Sequence, residues 1–346
     1  MVNGPEPMHG PRPGEPKPGA GPDPHGRVLV LGGAGYVGRH VCAAFAARGH
    51  EVVVVGRRPP EEPMPYRCIT FDVAGTDTRT LAGLLDSERP DTVVNAIGSI
   101  WGRTDAQMWS ATAVPTLRLL DALTLMSATP RLVHLGSVLE YGPVPPGTSI
   151  GGGATPRPDT AYGRSKLAAS EAVLRGTRDG LVEGVVLRVS NVSGPGTPRI
   201  SLLGQVAERL LMTAGTGTEA VVELSRLRAH RDYVDVRDVA AAVVAAACAP
   251  VSAEPVGIGR GEAVPVRELV DLFIEASGIP ARVVERPAPG REFGGREDWL
   301  RVDIAPARTL LGWEPRRSLK ESVSDCWQEM ARAHRFRTTP SNRSGG

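Results

Sequence analysis

The chain has 346 residues, enough to bury one large core or one core and a smaller lobe. Its 40 basic and 38 acidic residues nearly balance and only 4% of residues are aromatic, so nothing marks a nucleic-acid partner. No apolar run approaches the roughly 18 residues of a membrane span and no apolar signal core opens the chain, so no membrane association and a cytoplasmic location are expected.

Residues 1–26 are more than half Pro and Gly, without an apolar period. They cannot bury enough surface to offset ordering entropy and read as a disordered tail. From residue 27 the pattern alternates. Short apolar runs at 28–31, 52–55, 68–71, 92–95 and 132–135 predict strands, and helical stretches are predicted at 36–48, 80–88 and 106–126. A helix over 161–175 leads to a strand over 185–188. Strands and helices alternating at this spacing predict an α/β fold, a Rossmann-type doubly wound parallel sheet with helices on both faces. Residues 27–190 would form mainly this domain. Residues 191–335 would form mainly a smaller C-terminal substrate lobe, with about 231–248 returning to the first domain. The stretch 249–300 reads as loop-rich, 319–334 as a closing helix and 336–346 as a second tail. Cys42, Cys68, Cys248 and Cys326 are scattered, with no Cys-x-x-Cys and no His at ligand spacing. They read as buried small hydrophobes, and neither a metal site nor a disulfide framework is expected.

The first strand runs into Gly32-Gly33-Ala34-Gly35-Tyr36-Val37-Gly38. Gly32, Gly35 and Gly38 between a strand and a helix let the backbone approach a pyrophosphate, and the N–H groups of the helix start, Tyr36, Val37 and Gly38, face it. A dinucleotide site is expected. In such sites an acid ending the second strand takes the ribose hydroxyls. Here that strand ends Val55-Gly56-Arg57-Arg58, with no acid and two arginines. Arg57 and Arg58 suit a 2′-phosphate, so NADP(H) is favoured and NAD(H) stays open.

Only three of the 40 basic residues are lysine: Lys17, Lys166 and Lys320. Lys166 lies one helical turn after Tyr162, which puts both side chains on one face. An ammonium is a compact point charge and a guanidinium a planar fork, so the pair reads as a phenol with its activator. Ser137 ends the fifth predicted strand, twenty-five residues before Tyr162.

A strand-end serine, a helical Tyr-x-x-x-Lys and an N-terminal glycine loop together resemble the extended short-chain dehydrogenase/reductases, the nucleotide-sugar epimerases, dehydratases and reductases. Further segments are similar to that family: Phe71-Asp72-Val73, Asn95-Ala96-Ile97-Gly98, Leu187-Arg188 running to Gly194-Pro195-Gly196, Arg231-Asp232-Tyr233-Val234 running to Asp238-Val239-Ala240, and Leu311-Gly312-Trp313 before Pro315. The resemblance covers roughly 27–330. It implies that Asp72 and Val73 meet the adenine and that Ala96, Ile97 and Gly98 form a turn on the cofactor. It also implies that Tyr162 exchanges the proton, that Ser137 holds the reacting oxygen, and that Lys166 lowers the phenol pKa and reaches the nicotinamide ribose. Asn191, Arg231 and one of Arg286, Arg291 or Arg296, with Arg296 preferred, would hold a diphosphate. Helices near 106–126 and 161–175 would form a homodimer.

Departures from the family narrow the chemistry. A helix position often Asn in the family is Thr112, which puts a relay water there in doubt. The dehydratases carry Asp-Glu after the catalytic Ser or Thr, where this chain has Val138 and Leu139, which cannot move protons. The 3,5-epimerase/reductases carry Cys at what is Leu139. Glu140 is one place off, and strand-like alternation would turn it aside as a structural or peripheral carboxylate. What remains is hydride transfer at a carbonyl–alcohol centre. The expectation is an NADPH-dependent ketoreductase of a nucleotide sugar, specifically a 4-keto-6-deoxyhexose in deoxysugar and natural-product biosynthesis. A 4-epimerase and a non-catalytic NADP(H)-binding sensor or scaffold are the alternatives.

Overall fold

A computed structural model describes residues 26–98, 104–151, 153–286 and 298–338. Through its first half the chain runs β1 (Arg27–Leu31), α1 (Tyr36–Ala46), β2 (Glu51–Gly56), β3 (Arg67–Thr70), α2 (Thr78–Glu88), β4 (Thr92–Asn95), α3 (Asp105–Leu123), β5 (Arg131–Ser137), a 3₁₀ turn (Val138–Glu140), α4 (Ala161–Arg178) and β6 (Glu183–Val189). It continues through β7 (Asn191–Ser193), α5 (Leu202–Thr213), β8 (Ala220–Ser225), β9 (His230–Arg231), β10 (Tyr233–Asp235), α6 (Val236–Cys248), β11 (Pro255–Ile258) and β12 (Val264–Pro265). Then come α7 (Val266–Ser277), β13 (Ala281–Arg286), α8 (Ala305–Leu311) and α9 (Leu319–Thr338).

Seven parallel strands form the central sheet in the order β3-β2-β1-β4-β5-β6-β11. Its inner strands are near-continuous runs of Val and Leu because both faces are covered. One face packs under α1, α6 and α8 through Val30, Val41, Phe45, Val133, Leu187 and Val243. The other packs under α2, α3 and α4 through Leu29, Leu81, Leu85, Leu119, Leu132 and Val173. The strand order reverses between β1 and β4, and the crevice outside their carboxyl ends is where doubly wound folds take ligands.

The second lobe has its own core. α5, α7 and α9 close over the parallel pair β8–β13 through Leu203, Leu210, Val222, Phe273, Val323 and Trp327. The rings of Phe273 and Trp327 meet edge to face, with centroids 5.7 Å apart. Two short ladders, β7–β10 and β9–β12, lie between the lobe and the main sheet.

The structure corrects three sequence expectations. The stretch 249–300 holds β11, α7 and β13, so it is not simply loop. These strands are fixed by pairing with β6 and β8, far away in sequence. The closing helix α9 runs on to Thr338, into the stretch read as a tail; the rest of both expected tails, 1–25 and 339–346, lies outside the described residues. Cys42 and Cys326 are buried, but Cys68 on the sheet-edge strand β3 and Cys248 at the last position of α6 are exposed, and all four are free thiols. Among the described residues no helix is long and apolar enough to cross a membrane.

Candidate active site

The glycine loop is built for close approach. Gly32 sits at φ +77°, and a Cβ on Gly38 would lie 2.2 Å from the Gly32 carbonyl oxygen, so a side chain there would open the loop. Gly35 caps α1 without a side-chain hydrogen bond and the first turn holds no acid. The orphan N–H groups of Tyr36, Val37 and Gly38 are therefore left for an anion. The side chains at 36 and 37 do other work. The Tyr36 hydroxyl lies 3.1 Å from Thr197 Oγ1, tying α1 to the 194–197 loop, and Val37 packs on the core.

A cleft of about 650 Å³ opens at the strand-order reversal. Gly32, Gly35, Arg57 and Arg58 line it, as do Asp72 and Val73 and the post-β4 turn Ala96, Ile97 and Gly98. The lining also includes groups that sequence reading left out: Arg39 on α1, Glu61 and Glu62, and Ser110, Ala111 and Pro115 on α3. Pro115 has no N–H to give the Ala111 carbonyl, so α3 carries a gap in its ladder where it borders the cleft. Among the described residues, the side chains of Arg39, Arg57 and Arg58 make no ion pair or hydrogen bond. Three unpaired cations converging on one cleft suit a phosphorylated ligand.

Ser137, Tyr162 and Lys166 are not among the residues that line this cleft; they adjoin it through Lys166, which meets the Ile97 carbonyl. β5 delivers Ser137, whose Oγ accepts the Leu139 N–H at 3.2 Å. α4 starts at the Thr160 cap, whose hydroxyl oxygen accepts the Gly163 N–H at 3.0 Å. A Cβ on Gly163 would lie 2.4 Å from the Leu139 carbonyl oxygen. Only glycine there lets the start of α4, which carries Tyr162, press against the turn after Ser137. Lys166 is 4% exposed. Its ammonium donates to Leu135 O at 2.7 Å and to Ile97 O at 3.2 Å, 6.0 Å from the Tyr162 ring centroid. Since Ile97 lines the cleft, Lys166 joins the reactive cluster to it.

Burial pushes Lys166 down to about 8, partly offset by the Glu140 charge. Tyr162 differs from expectation. Desolvation of the ring, then the Glu140 charge, pushes the phenol above its ordinary value instead of below it. The Lys166 ammonium is engaged with two carbonyls, so it does not reverse this. A stability effect follows from Lys166. It binds a proton less readily folded, at about 8, than unfolded, at 10.5. Its burial cost is therefore full below about pH 8 and lifts as pH rises from about 8 to 10.5. The wild type should gain stability relative to Lys166→Met over that interval in denaturant titrations, and a flat difference would contradict the assignment.

Glu140 is a second correction. The residues after Ser137 form a 3₁₀ turn instead of continuing the strand, because Ser137 and Glu140 make a reciprocal capping box. The turn directs Glu140 inward, where it is fully buried and ion-paired to Arg188 at 2.6 Å. The carboxylate is central to the site's framework instead of peripheral to it.

Beneath Lys166, Asn95 Nδ2 donates to Thr116 Oγ1 at 3.0 Å and lies 3.1 Å from His134 Nδ1. Asn95 Oδ1 accepts the Ile97 N–H and so shapes the turn on the cleft. His134 is fully buried, and burial, then the Lys166 charge, holds it well below its ordinary pKa, hence neutral. Thr112 is buried with its hydroxyl unpartnered. A lone strand His and a helix Thr carry no motif, which is why sequence reading passed over this layer.

The remaining predicted residues belong to the second lobe. Asn191 donates to Asp232 O, and the buried Asp232 carboxylate gathers the N–H groups of Arg260, Gly261 and Val302. Arg231 pairs with Asp298 and donates to its carbonyl. Arg286 is spent on Glu223 across β8–β13, on the outer surface. Arg291 and Arg296 lie outside the described residues.

The sequence model of the NAD dependent epimerase/dehydratase family matches residues 28–259. The chain is 45% identical over 307 residues to a dTDP-6-deoxy-L-talose 4-dehydrogenase (NAD(P)(+)) of Kitasatospora kifunensis, covering 89% of this chain and 96% of that one. It is 26% identical to a GDP-6-deoxy-D-mannose reductase of Pseudomonas aeruginosa, covering 86% and 94% respectively. Among solved structures it superposes on MoeE5 in complex with UDP-glucose and NAD with a TM-score of 0.77 at 25% identity, covering 89% of this chain and 100% of that one.

Proposed function

The chain belongs to the NAD dependent epimerase/dehydratase family, and we propose that it is an NADPH-dependent ketoreductase of a nucleotide-linked 4-keto-6-deoxyhexose. The observation that carries this reading is the make-up of the turn after Ser137. Val138 and Leu139 have no proton to move, and Glu140 is locked to Arg188. Elimination and double epimerisation therefore lack a base, and carbonyl–alcohol chemistry remains. The 45% relative acts at the same carbon of a dTDP-6-deoxyhexose, by its name, whereas the named 4-epimerases match at 28% or below. The unpaired Arg39, Arg57 and Arg58 favour a 2′-phosphate, and a net reductase draws on reduced NADP where an epimerase returns its hydride.

The residues fit the cofactor: a loop whose only side chain is the Ala34 methyl, a helix start without an acid, and three guanidinium groups without a partner among the described residues. When bound, the nicotinamide supplies the hydride. Tyr162, kept protonated by its surroundings, donates the phenol proton to the ketone oxygen as negative charge gathers there. Ser137 has its Oγ acceptor side occupied by Leu139 N–H, so its own hydrogen is free to hold that oxygen. Lys166, titrating near neutrality, can return a proton toward the phenolate. Asn191 and Arg231, with Arg296, would hold the diphosphate. Arg231 would have to exchange its Asp298 partner to do so.

The protein would act in the cytoplasm, where exposed thiols such as Cys68 and Cys248 stay reduced. It would be a homodimer through α3 and α4, with Trp109 at 45% and Leu117 at 39% exposure on α3.

The test is NADPH consumption with a dTDP-linked 4-keto-6-deoxyhexose. One NADPH oxidised per sugar is expected. No net oxidation with interconverted 4-hydroxyl isomers would identify an epimerase instead. Cofactor choice is checked separately: Arg57→Ser with Arg58→Ser should weaken NADPH binding about a hundredfold, the loss of two charge-assisted contacts, and leave NADH nearly unchanged. Equal losses for both cofactors would remove the 2′-phosphate assignment.

A further inference from the structure

The reaction as derived gives Glu140 no proton to move, yet the chain commits three donors to its buried carboxylate. Ser137 N–H and the Ser170 hydroxyl donate to Oε1, each at 2.8 Å, and Arg188 Nε donates to Oε2 at 2.6 Å. The Arg188 side chain is itself 4% exposed, with its guanidinium 4.5 Å over the Tyr141 ring. A buried ion pair is costly to desolvate and is weak evidence for stability. Its position asks for a functional account.

Two consequences meet at the reacting atoms. The first is aim. Glu140 holds the Ser137 N–H, and Ser137 Oγ in return accepts from Leu139 N. Ser137 Oγ thus accepts one bond from the turn, and its hydrogen meets no acceptor among the described residues. The second is charge. Glu140 is the ionised group that acts on both Tyr162 and Lys166. Other groups facing this pair are Arg188 from β6, Tyr141 from the end of the turn, neutral His134 from β5, and the uncharged Thr112 hydroxyl from α3. None of these supplies a second negative charge.

We propose that Glu140 is a positioning residue of the ketoreductase site: its carboxylate, held by three donors, fixes the turn that presents the Ser137 hydroxyl and sets a buried negative charge at the Tyr162–Lys166 pair. This rests on the reductase reading for its kinetic consequence, but its electrostatic core does not.

The low lysine count makes the electrostatic part measurable. With three lysines in the chain, labelling with lysine carrying ¹³C at Cε gives three resonances, and Lys166→Arg assigns the buried one. The titration is run on the full chain without cofactor or substrate. In the wild type Lys166 should titrate near about 8. In the paired variant Glu140→Gln with Arg188→Met, which leaves no unpaired guanidinium, the midpoint should fall by about one unit. Glu140→Asp, which keeps the charge, should hold it. A merely structural Glu140 gives the opposite sign, because loosened packing admits water and moves Lys166 up toward 10.5. An unmoved or raised midpoint in the paired variant, or a fall in Glu140→Asp as well, overturns the proposal. In turnover, the paired variant should lose kcat more than KM, and the alkaline limb of its reduction profile should move to lower pH, since a phenol freed of the Glu140 charge ionises sooner. Absence of NADPH oxidation by the wild type would remove the reductase reading alone and leave the titration to decide Glu140.

Discussion

Tyr162→Phe should lower kcat for ketone reduction by about 10²–10⁴-fold, the range general acid catalysis supplies, while NADPH binding stays near wild type. The variant keeps the ring, whose centroid lies 6.0 Å from the Lys166 ammonium, and removes only the hydroxyl. Gly163 still lets α4 approach Leu139 O, so the site should keep its shape. Lys166 keeps both carbonyl acceptors. A loss confined to kcat would therefore report the missing proton. Steady-state kinetics with a fluorescence titration of NADPH separates the two effects. Turnover unchanged by the substitution would contradict the mechanism, and would equally fit a protein that binds the nucleotide without using this phenol.

The second large effect is expected for Ser137→Ala, a loss of about 10²–10³-fold in kcat, as for removal of one oxyanion donor. The serine also caps the 3₁₀ turn, through its Oγ to Leu139 N. Losing a cap of this kind costs about 1 kcal/mol of stability, which is small beside the catalytic loss. Ser137→Thr keeps both the acceptor and the donor and should retain far more activity. If alanine and threonine were equally impaired, space, not the hydroxyl, would be the variable that matters. A thermal melt of each variant beside its kcat makes the separation.

The central domain was legible in the sequence because its signals are local. Four consecutive valines in β2 read as a strand buried on both faces, and Gly32, Gly35 and Gly38 read as a loop between strand and helix at their own positions. Tyr162 and Lys166 were legible because one helical turn joins them. Features that depend on distant segments meeting were not. β11 pairs with β6 across some seventy residues and β13 with β8 across about sixty, so 249–300 looked like loop. Arg39 and Ser110 give no hint of a shared cleft until α1 and α3 are set on opposite faces of one sheet. Glu140 was misjudged for a different reason. Alternation along a strand was extended one residue too far, while the Ser137–Glu140 cap had already turned the chain. The raised phenol of Tyr162 comes first from burial of the side chain and then from the Glu140 charge, neither of which a spacing rule can show. Cys68 and Cys248 were read as buried because small apolar residues usually are, yet one lies on an edge strand and the other ends a helix.

The most direct test follows one hydrogen. NADPH carrying deuterium at the transferring C4 position of the nicotinamide is incubated with the purified protein and a dTDP-linked 4-keto-6-deoxyhexose, and the product is read by NMR and mass spectrometry. The account predicts one deuterium at sugar C4, one NADP⁺ formed per sugar, and loss of both in Tyr162→Phe. Product that forms with no deuterium at C4, or sugar that equilibrates between 4-hydroxyl isomers while NADPH remains unchanged, would contradict it.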